Sequence, residues 1–185
     1  MIAARHSEHF VQFFATDVEW VNAVADFVKE GIETGCTCVV VATQERRSGV
    51  TARLQSDGIR VAEIIATYQY VELDAPTTLE GFMDGKHCDG HKFHQAFDTL
   101  MRQASSRGEP VRIYGEMVNL LVEQDLPEAA IQIEELCNEL SRHHSFRMFC
   151  GYSAEALAKT DRARTAAAYI CAVHSDVIGL ELLRA

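Results

Sequence analysis

Several features of common protein classes are missing from this sequence of 185 residues. No stretch approaches the ~20 apolar residues of a membrane-spanning helix, and the start, MIAARHSEHF, lacks the apolar core of a secretion signal. Positive charge is scarce: 17 Lys and Arg face 27 Asp and Glu, and the net charge of -10 repels polyanions. We therefore expect a cytoplasmic protein that binds neither nucleic acid nor membranes directly.

Only three prolines interrupt the chain, and no repeat or linker divides it, so we expect one domain over residues 1–185. The run CTCVVVAT (residues 36–43) is almost continuously apolar and rich in β-branched residues, which is typical of a strand buried on both faces of a parallel sheet. Helix-like segments alternate with this strand and with further strand-like segments: HFVQFF, YVELD, VRIYG and FRMFCGY. The alternation predicts a three-layer α/β fold, with a mostly parallel central sheet and helices on both faces.

The phosphate-binding loop of ATPases is absent from the place where such a fold needs it. A working P-loop has the pattern G-x-x-x-x-G-K-[ST] directly after the first buried strand. Here the sequence is ATQERRSG, and Glu45 puts a negative charge where phosphate would lie. We expect a Rossmann-like fold without a P-loop, no ATP hydrolysis and no cofactor.

Several blocks resemble the MEDS domain family, the sensory domain of methanogens, methylotrophs and the dichloromethane-response regulator. They cover about residue 9 to residue 175: HFVQFF, GIETGCTCVVVAT, YVELDA, VRIYGEMVNLL, EELCNEL and MFCGY. The resemblance implies a degenerate RecA-like fold and a sensory role, often in proteins with a helix-turn-helix or a histidine kinase. This chain shows no such output module, and Cys137 stands where the family usually has tryptophan. We expect a partner such as a histidine kinase or transcription regulator, or a second copy of the chain.

Ligands of open parallel sheets bind beyond the carboxyl ends of the strands. Polar residues at the predicted strand ends should therefore meet at one edge, and polar residues of the matching blocks extend this set. The predicted ligand-binding residues are Thr43, Asp74, Glu116, Asn119, Tyr152 and His9. We expect a small, largely apolar organic ligand, and a sensor or adaptor rather than an enzyme.

Some of these residues have a structural alternative. Glu116 could serve a ligand or could cap the helix that begins at Met117. His9 and Asn138 interrupt apolar patterns, and a buried hydrogen-bond network is the simpler interpretation. His174 shares an apolar helical stripe, which favours a core histidine over a pH or metal sensor.

Two other functions stay open. A hydrolase or transferase could use Glu116 or Asp74 as its base, although no nucleophile motif accompanies them. A metal- or redox-responsive sensor could use KHCDGHKFH (residues 86–94), whose imidazole and thiol groups have helical spacing: His87, Cys88, His91 and His94. Gly90 interrupts the helix that this spacing assumes, so solvated histidines are the default.

Overall fold

The structure, a computed structural model, describes residues 8–183. Six strands form one sheet in the order β3-β2-β6-β7-β1-β8, and every pairing is parallel. Their bounds are β1 (Glu8–Phe14), β2 (Thr37–Ala42), β3 (Tyr70–Asp74), β6 (Val111–Gly115), β7 (Phe146–Ser153) and β8 (Asp176–Ile178). Two short strands, β4 (Met83–Asp84) and β5 (His87–Cys88), pair antiparallel apart from this sheet.

Helices cover both faces of the sheet, so the predicted three-layer α/β fold is confirmed. One face carries α1 (Asp17–Glu33), α2 (Gln44–Ser56) and α3 (Val61–Ala66). The other carries α4 (Ala75–Glu80), α5 (Gly90–Ala104), α6 (Met117–Glu123), α7 (Pro127–His143), α8 (Ala154–Ala158) and α9 (Asp161–Val173). Short 3₁₀ turns follow at Ser105–Arg107 and Leu180–Leu183. Within residues 8–183, none of the helices has the length and apolar character to cross a bilayer.

The strand sequences explain which residues reach which layer. Every residue of β2 is buried, because helices cover both sides of this central strand. Along β7 the side chains alternate, so Cys150 and Tyr152 pack in the core under α4–α9, whereas Phe149 packs in the core under α1–α3. Because of this alternation, polar side chains of neighbouring residues in one strand lie on opposite faces of the sheet and belong to different sites.

Gly151 of β7 allows α1 to approach the sheet closely. A Cβ atom at this position would lie 2.6 Å from Nε1 of Trp20, well inside van der Waals contact. Trp20 occupies this space and donates a hydrogen bond to the Tyr114 hydroxyl at 2.6 Å. The absence of a side chain at Gly151 thus leaves room for the Trp20 indole against the sheet.

Candidate functional site

Glu116 organises the carboxyl edge of the sheet, directly after β6. Only 3% of it is exposed. Its Oε2 accepts hydrogen bonds from the Thr43 backbone N–H (3.1 Å) and hydroxyl (3.4 Å), and Nε of Arg46 lies 3.5 Å from Oε1. Burial raises the pKa of Glu116, and the charge of Arg46 and the Thr43 hydrogen bonds offset part of that rise. The carboxylate caps no backbone N–H of α6 in the described chain, so the capping interpretation is wrong: Glu116 ties β6 to the start of α2.

Arg46 lies in the first turn of the helix that follows β2, and its side chain packs against α1. Its guanidinium lies 3.9 Å over the Trp20 ring, and Nη2 is 3.2 Å from Oδ1 of Asp17. The helix α2 starts at Gln44 with Thr43 as its N-cap, whose hydroxyl accepts from the Arg46 N–H at 3.3 Å. The chain turns directly from strand to helix here and leaves no loop to cradle a phosphate group.

Two other predicted residues flank Glu116. Asp74 caps α4 by accepting from the Thr77 N–H at 3.1 Å, and Arg47 lies 3.1 Å from its second oxygen. The Thr77 hydrogen bonds, more than the Arg47 charge, hold the pKa of Asp74 below its usual value. Asn119 accepts from the Ser153 N–H at 2.9 Å and donates to Glu123, also at 2.9 Å. These edge side chains are therefore partnered by the protein itself.

The side chains of Tyr152 and His9 lie away from this edge. Tyr152 is fully buried, and its hydroxyl donates to Oε1 of Glu134 at 2.7 Å. Tyr152 lies near the carboxyl end of β7, as predicted, but the strand alternation turns its side chain towards α7 and into the core. His9 is also buried, and its Nδ1 lies 2.9 Å from Oδ1 of Asn138, which confirms the predicted network of these two residues.

His9 belongs instead to a buried cluster of four groups, which we call the core cluster: His9 on β1, Glu134 on α7, Cys150 on β7 and His174 after α9. One side-chain N, O or S atom from each lies within 4.8 Å of the others. Oε2 of Glu134 is 3.2 Å from His9 Nε2, 3.4 Å from His174 Nε2 and 3.5 Å from Cys150 Sγ. His9 Nε2 and Cys150 Sγ are 3.2 Å apart.

The electrostatics of the core cluster depend on mutual pairing. Burial alone would raise the pKa of Glu134, but His174 and then His9 outweigh burial and lower it. Burial would lower the pKa of His174, and Glu134 reverses this and raises it. Burial also raises the pKa of the Cys150 thiol. Glu134 is therefore held as a carboxylate with no Lys or Arg among its partners in the described chain.

Sequence reasoning identified His9 and His174 as core histidines, and their burial confirms this. It missed Glu134 and Cys150 as their neighbours. A signal for Glu134 was present, since this acid lies on the buried stripe of α7 together with Ala130, Ile133 and Cys137. A charged residue at a position reserved for core packing needs a buried partner.

The KHCDGHKFH segment has a different geometry from a metal site. Cys88 packs against Met83, with its Sγ 3.5 Å from the thioether sulfur, and burial raises its pKa to about 11. His94 pairs with Glu139 at 3.2 Å, while His87 and His91 are exposed. The structure describes all four metal-ligand candidates of this segment and does not bring them together into one group.

An apolar cleft opens between α8, α9 and the 3₁₀ turn Leu180–Leu183. Its volume is about 230 Å³. Its lining is mostly aliphatic and includes Leu157, Ala167, Ala168, Cys171, Leu180 and Leu183. The helix α9 that lines this cleft ends just before His174 of the core cluster.

Comparison with known proteins identifies the chain at the level of a family. The family model described as MEDS, the MEthanogen/methylotroph, DcmR Sensory domain, matches residues 8–174. No curated protein matches the sequence. The matched span runs from the first residue of β1 to His174, and so includes the central sheet up to β7, the edge around Glu116 and the whole core cluster. The chain belongs to the MEDS family of sensory domains.

Proposed function

We propose that this chain is a non-catalytic, cytoplasmic sensory module that binds a small, apolar organic molecule in the cleft between α8, α9 and Leu180–Leu183. The family supports the sensory role, and the apolar lining of the cleft supports the class of ligand. A volume of about 230 Å³ is below the ~300–1,000 Å³ of pockets for drug-sized ligands. The cleft therefore suits a molecule of a few heavy atoms.

Such a ligand should bind more favourably in the cleft than at the carboxyl edge of the sheet, where the sequence predicted the ligand-binding site. At that edge Glu116 already accepts two hydrogen bonds from Thr43 and forms an ion pair with Arg46. A ligand there would have to displace a buried guanidinium and leave Glu116 without its cation, which is costly. In the cleft, where Arg164 is the one charged residue of the lining in the described chain, a ligand displaces water from mostly apolar surface, which is favourable.

Binding in the cleft would act on the rest of the domain through α9. Ala167 and Cys171 line the cleft, while Ile170 of the same helix is fully buried in the core and His174 follows its last turn. A ligand that holds this helix against α8 and the 3₁₀ turn would favour one position of α9. A partner regulatory protein, such as a histidine kinase or a transcription regulator, would then distinguish the two states on the surface.

The burial of Glu116 favours binding over catalysis. A general base must reach the proton that it removes. Glu116 is 3% exposed and lies behind Arg46, and Asp74 is engaged as a helix cap, so the two acids considered for a hydrolase or transferase are both occupied.

The test uses benzene and 1-butanol as probes, with thermal unfolding and backbone amide NMR shifts as readouts. We expect both probes to raise the midpoint of unfolding of the wild-type chain and to shift amide signals of α8 and α9. Ala168→Leu adds bulk at the cleft and should abolish both effects. Ala52→Leu, on exposed α2 surface across the sheet, is the matched control and should retain them.

Two results would contradict this proposal. One is the absence of any shift with either probe at saturating concentration. The other is binding that survives Ala168→Leu but is lost in Glu116→Gln, which would place the ligand at the strand edge among Thr43, Asp74, Glu116 and Asn119.

A further inference from the structure

The hydrogen bonds around the core cluster fix which nitrogen of each histidine carries a proton. Nδ1 of His174 lies 2.6 Å from the Ile170 carbonyl oxygen, which can only accept, so this nitrogen is the donor. The Asn138 amide donates to the Val173 carbonyl at 3.3 Å, so its oxygen faces His9 and accepts from Nδ1 there. In its neutral form, each imidazole therefore presents the lone pair of Nε2 to the interior of the cluster.

These lone pairs meet groups that are also electron-rich. Both Nε2 atoms lie within 3.4 Å of Oε2 of Glu134. The Tyr152 hydroxyl donates to the other oxygen of this carboxylate, Oε1, and leaves Oε2 for the cluster. Nε2 of His174 makes no hydrogen bond of normal geometry to any described residue, although it is buried. With both imidazoles neutral, two lone pairs and a carboxylate oxygen face one another with only the Cys150 S–H proton among them. The positive charge that offsets them comes either from a proton on Nε2 of His174 or from a metal ion at their centre.

We propose that His9, Glu134, Cys150 and His174 are the four ligands of a tetrahedral site for a divalent cation of the zinc class. Zinc bonds of about 2.0–2.1 Å to nitrogen or oxygen and 2.3 Å to sulfur place ligand atoms of a tetrahedron roughly 3.3–3.6 Å apart. The separations that the structure gives are 3.2, 3.2, 3.4 and 3.5 Å. Four of the six separations thus match the edges of a zinc tetrahedron to within a few tenths of an ångström, and all six lie within 4.8 Å.

The surroundings match those of metal-binding histidines. Such a histidine usually donates its second ring N–H to a carbonyl or carboxylate oxygen, which orients the ring. Ile170 does this for His174 and Asn138 does it for His9, while Tyr152 orients Glu134. The first coordination shell and its supporting hydrogen bonds are both present.

The donor set selects the metal. A thiolate with two imidazoles favours zinc over magnesium or calcium, which prefer oxygen ligands. On binding, the Cys150 thiol releases its proton to solvent, and the thiolate and the Glu134 carboxylate together neutralise the charge of a divalent ion. Four protein ligands, all buried, make a closed site of the structural kind rather than a catalytic site with an open position.

A cation here would join parts of the chain that are distant in sequence. It would link β1 and β7 of the sheet to α7 and to the end of α9, the helix that lines the apolar cleft. The site would therefore hold α9 against the sheet whether or not the cleft binds a ligand. This inference does not depend on the proposed function.

The test is cobalt substitution of untagged protein that has been stripped with a chelator and dialysed. We expect one equivalent of Co²⁺ to bind with the intense visible absorption of tetrahedral cobalt and a near-ultraviolet thiolate-to-cobalt band. Cys150→Ser should lose the thiolate band, whereas Cys137→Ser, a neighbouring buried cysteine outside the cluster, should keep it. Asn138→Ala should weaken zinc binding by about 10–100-fold through the lost support of His9, whereas His94→Gln on the surface should not.

X-ray absorption of the zinc-loaded wild-type chain provides a readout that needs no variant to fold. We expect one sulfur at about 2.3 Å and three nitrogen or oxygen neighbours at about 2.0–2.1 Å. The proposal is overturned if the wild-type chain binds neither Zn²⁺ nor Co²⁺, if the spectrum is that of octahedral cobalt, if zinc has no sulfur neighbour, or if Cys150→Ser keeps the thiolate band.

Discussion

Glu116 and Glu134 are both buried carboxylates in the same small domain, but their hydrogen-bond and charge partners differ. Glu116 is 3% exposed and has a permanent cation, Arg46, together with two donors from Thr43. Glu134 is completely buried and has two imidazoles, a phenol and a thiol as partners in the described chain. The pKa is raised for Glu116 and lowered for Glu134.

The difference shows what makes a buried polar group a candidate site. At Glu116 the chain supplies the opposite charge itself, and an added ligand would only displace it. Around Glu134, both histidines direct Nδ1–H to outer partners, so the cluster gains a positive charge only when an imidazole is protonated on Nε2 or a metal ion binds. The charge of Glu116 at the edge is thus balanced by its ion pair with Arg46. The charge of Glu134 in the core cluster is balanced only when a proton or a metal ion is added.

The largest effect should come from removing the cation at the edge. Arg46→Met keeps an aliphatic chain over Trp20 but leaves Glu116 buried without its opposite charge. We expect the free energy of unfolding to fall by about 3 kcal/mol. Urea unfolding followed by circular dichroism measures this loss.

The matched control is Arg47→Met. Arg47 pairs with the half-exposed Asp74, which water can solvate, so the expected loss is below about 1 kcal/mol. Equal losses in the two variants would mean that Arg46 does not provide the charge that Glu116 needs. The comparison between the edge and the core cluster would then fail.

A smaller effect should follow from Tyr152→Phe, which removes the hydroxyl that donates to Glu134. The carboxylate cannot regain this hydrogen bond from water, so we expect a loss of about 2 kcal/mol in the free energy of unfolding, measured with EDTA present. Tyr70→Phe is the control, because Glu72 is only partly buried and also accepts from Thr51. A loss no larger than that of Tyr70→Phe would show that the protons of the core cluster rearrange to replace the phenol.

The sequence predicted the fold well because its signals are local. The run of β-branched residues in β2 and the helical stripes of its neighbours each lie within a few turns of chain. The missing P-loop was equally visible, since the motif is contiguous. The structure confirms the parallel sheet, the three layers and the direct turn from β2 into α2.

The core cluster could not be predicted in the same way. Its ligand atoms come from β1, α7, β7 and the residue after α9, and only tertiary packing brings such distant positions together. Local spacing pointed instead to KHCDGHKFH, where four candidate ligands are close in sequence but separate in space. For Tyr152, the position along the strand was right, but the alternation of side chains decided the layer that it reaches.

The smallest expected effect is a change with pH in the contribution of Glu116 to the free energy of unfolding. The pKa of Glu116 in the folded chain lies above the ordinary value of 4.5, which applies to the unfolded chain. Below that value the fold has its full advantage from protonated Glu116, and it loses this advantage as pH rises through the folded pKa. Glu116→Gln cannot titrate, so the free energy of unfolding of the variant minus that of the wild type should increase from pH 4 upward, in urea titrations at matched ionic strength. A difference that falls with pH would mean that Arg46 outweighs burial, and that Glu116, like Glu134, is held by its partners as a carboxylate.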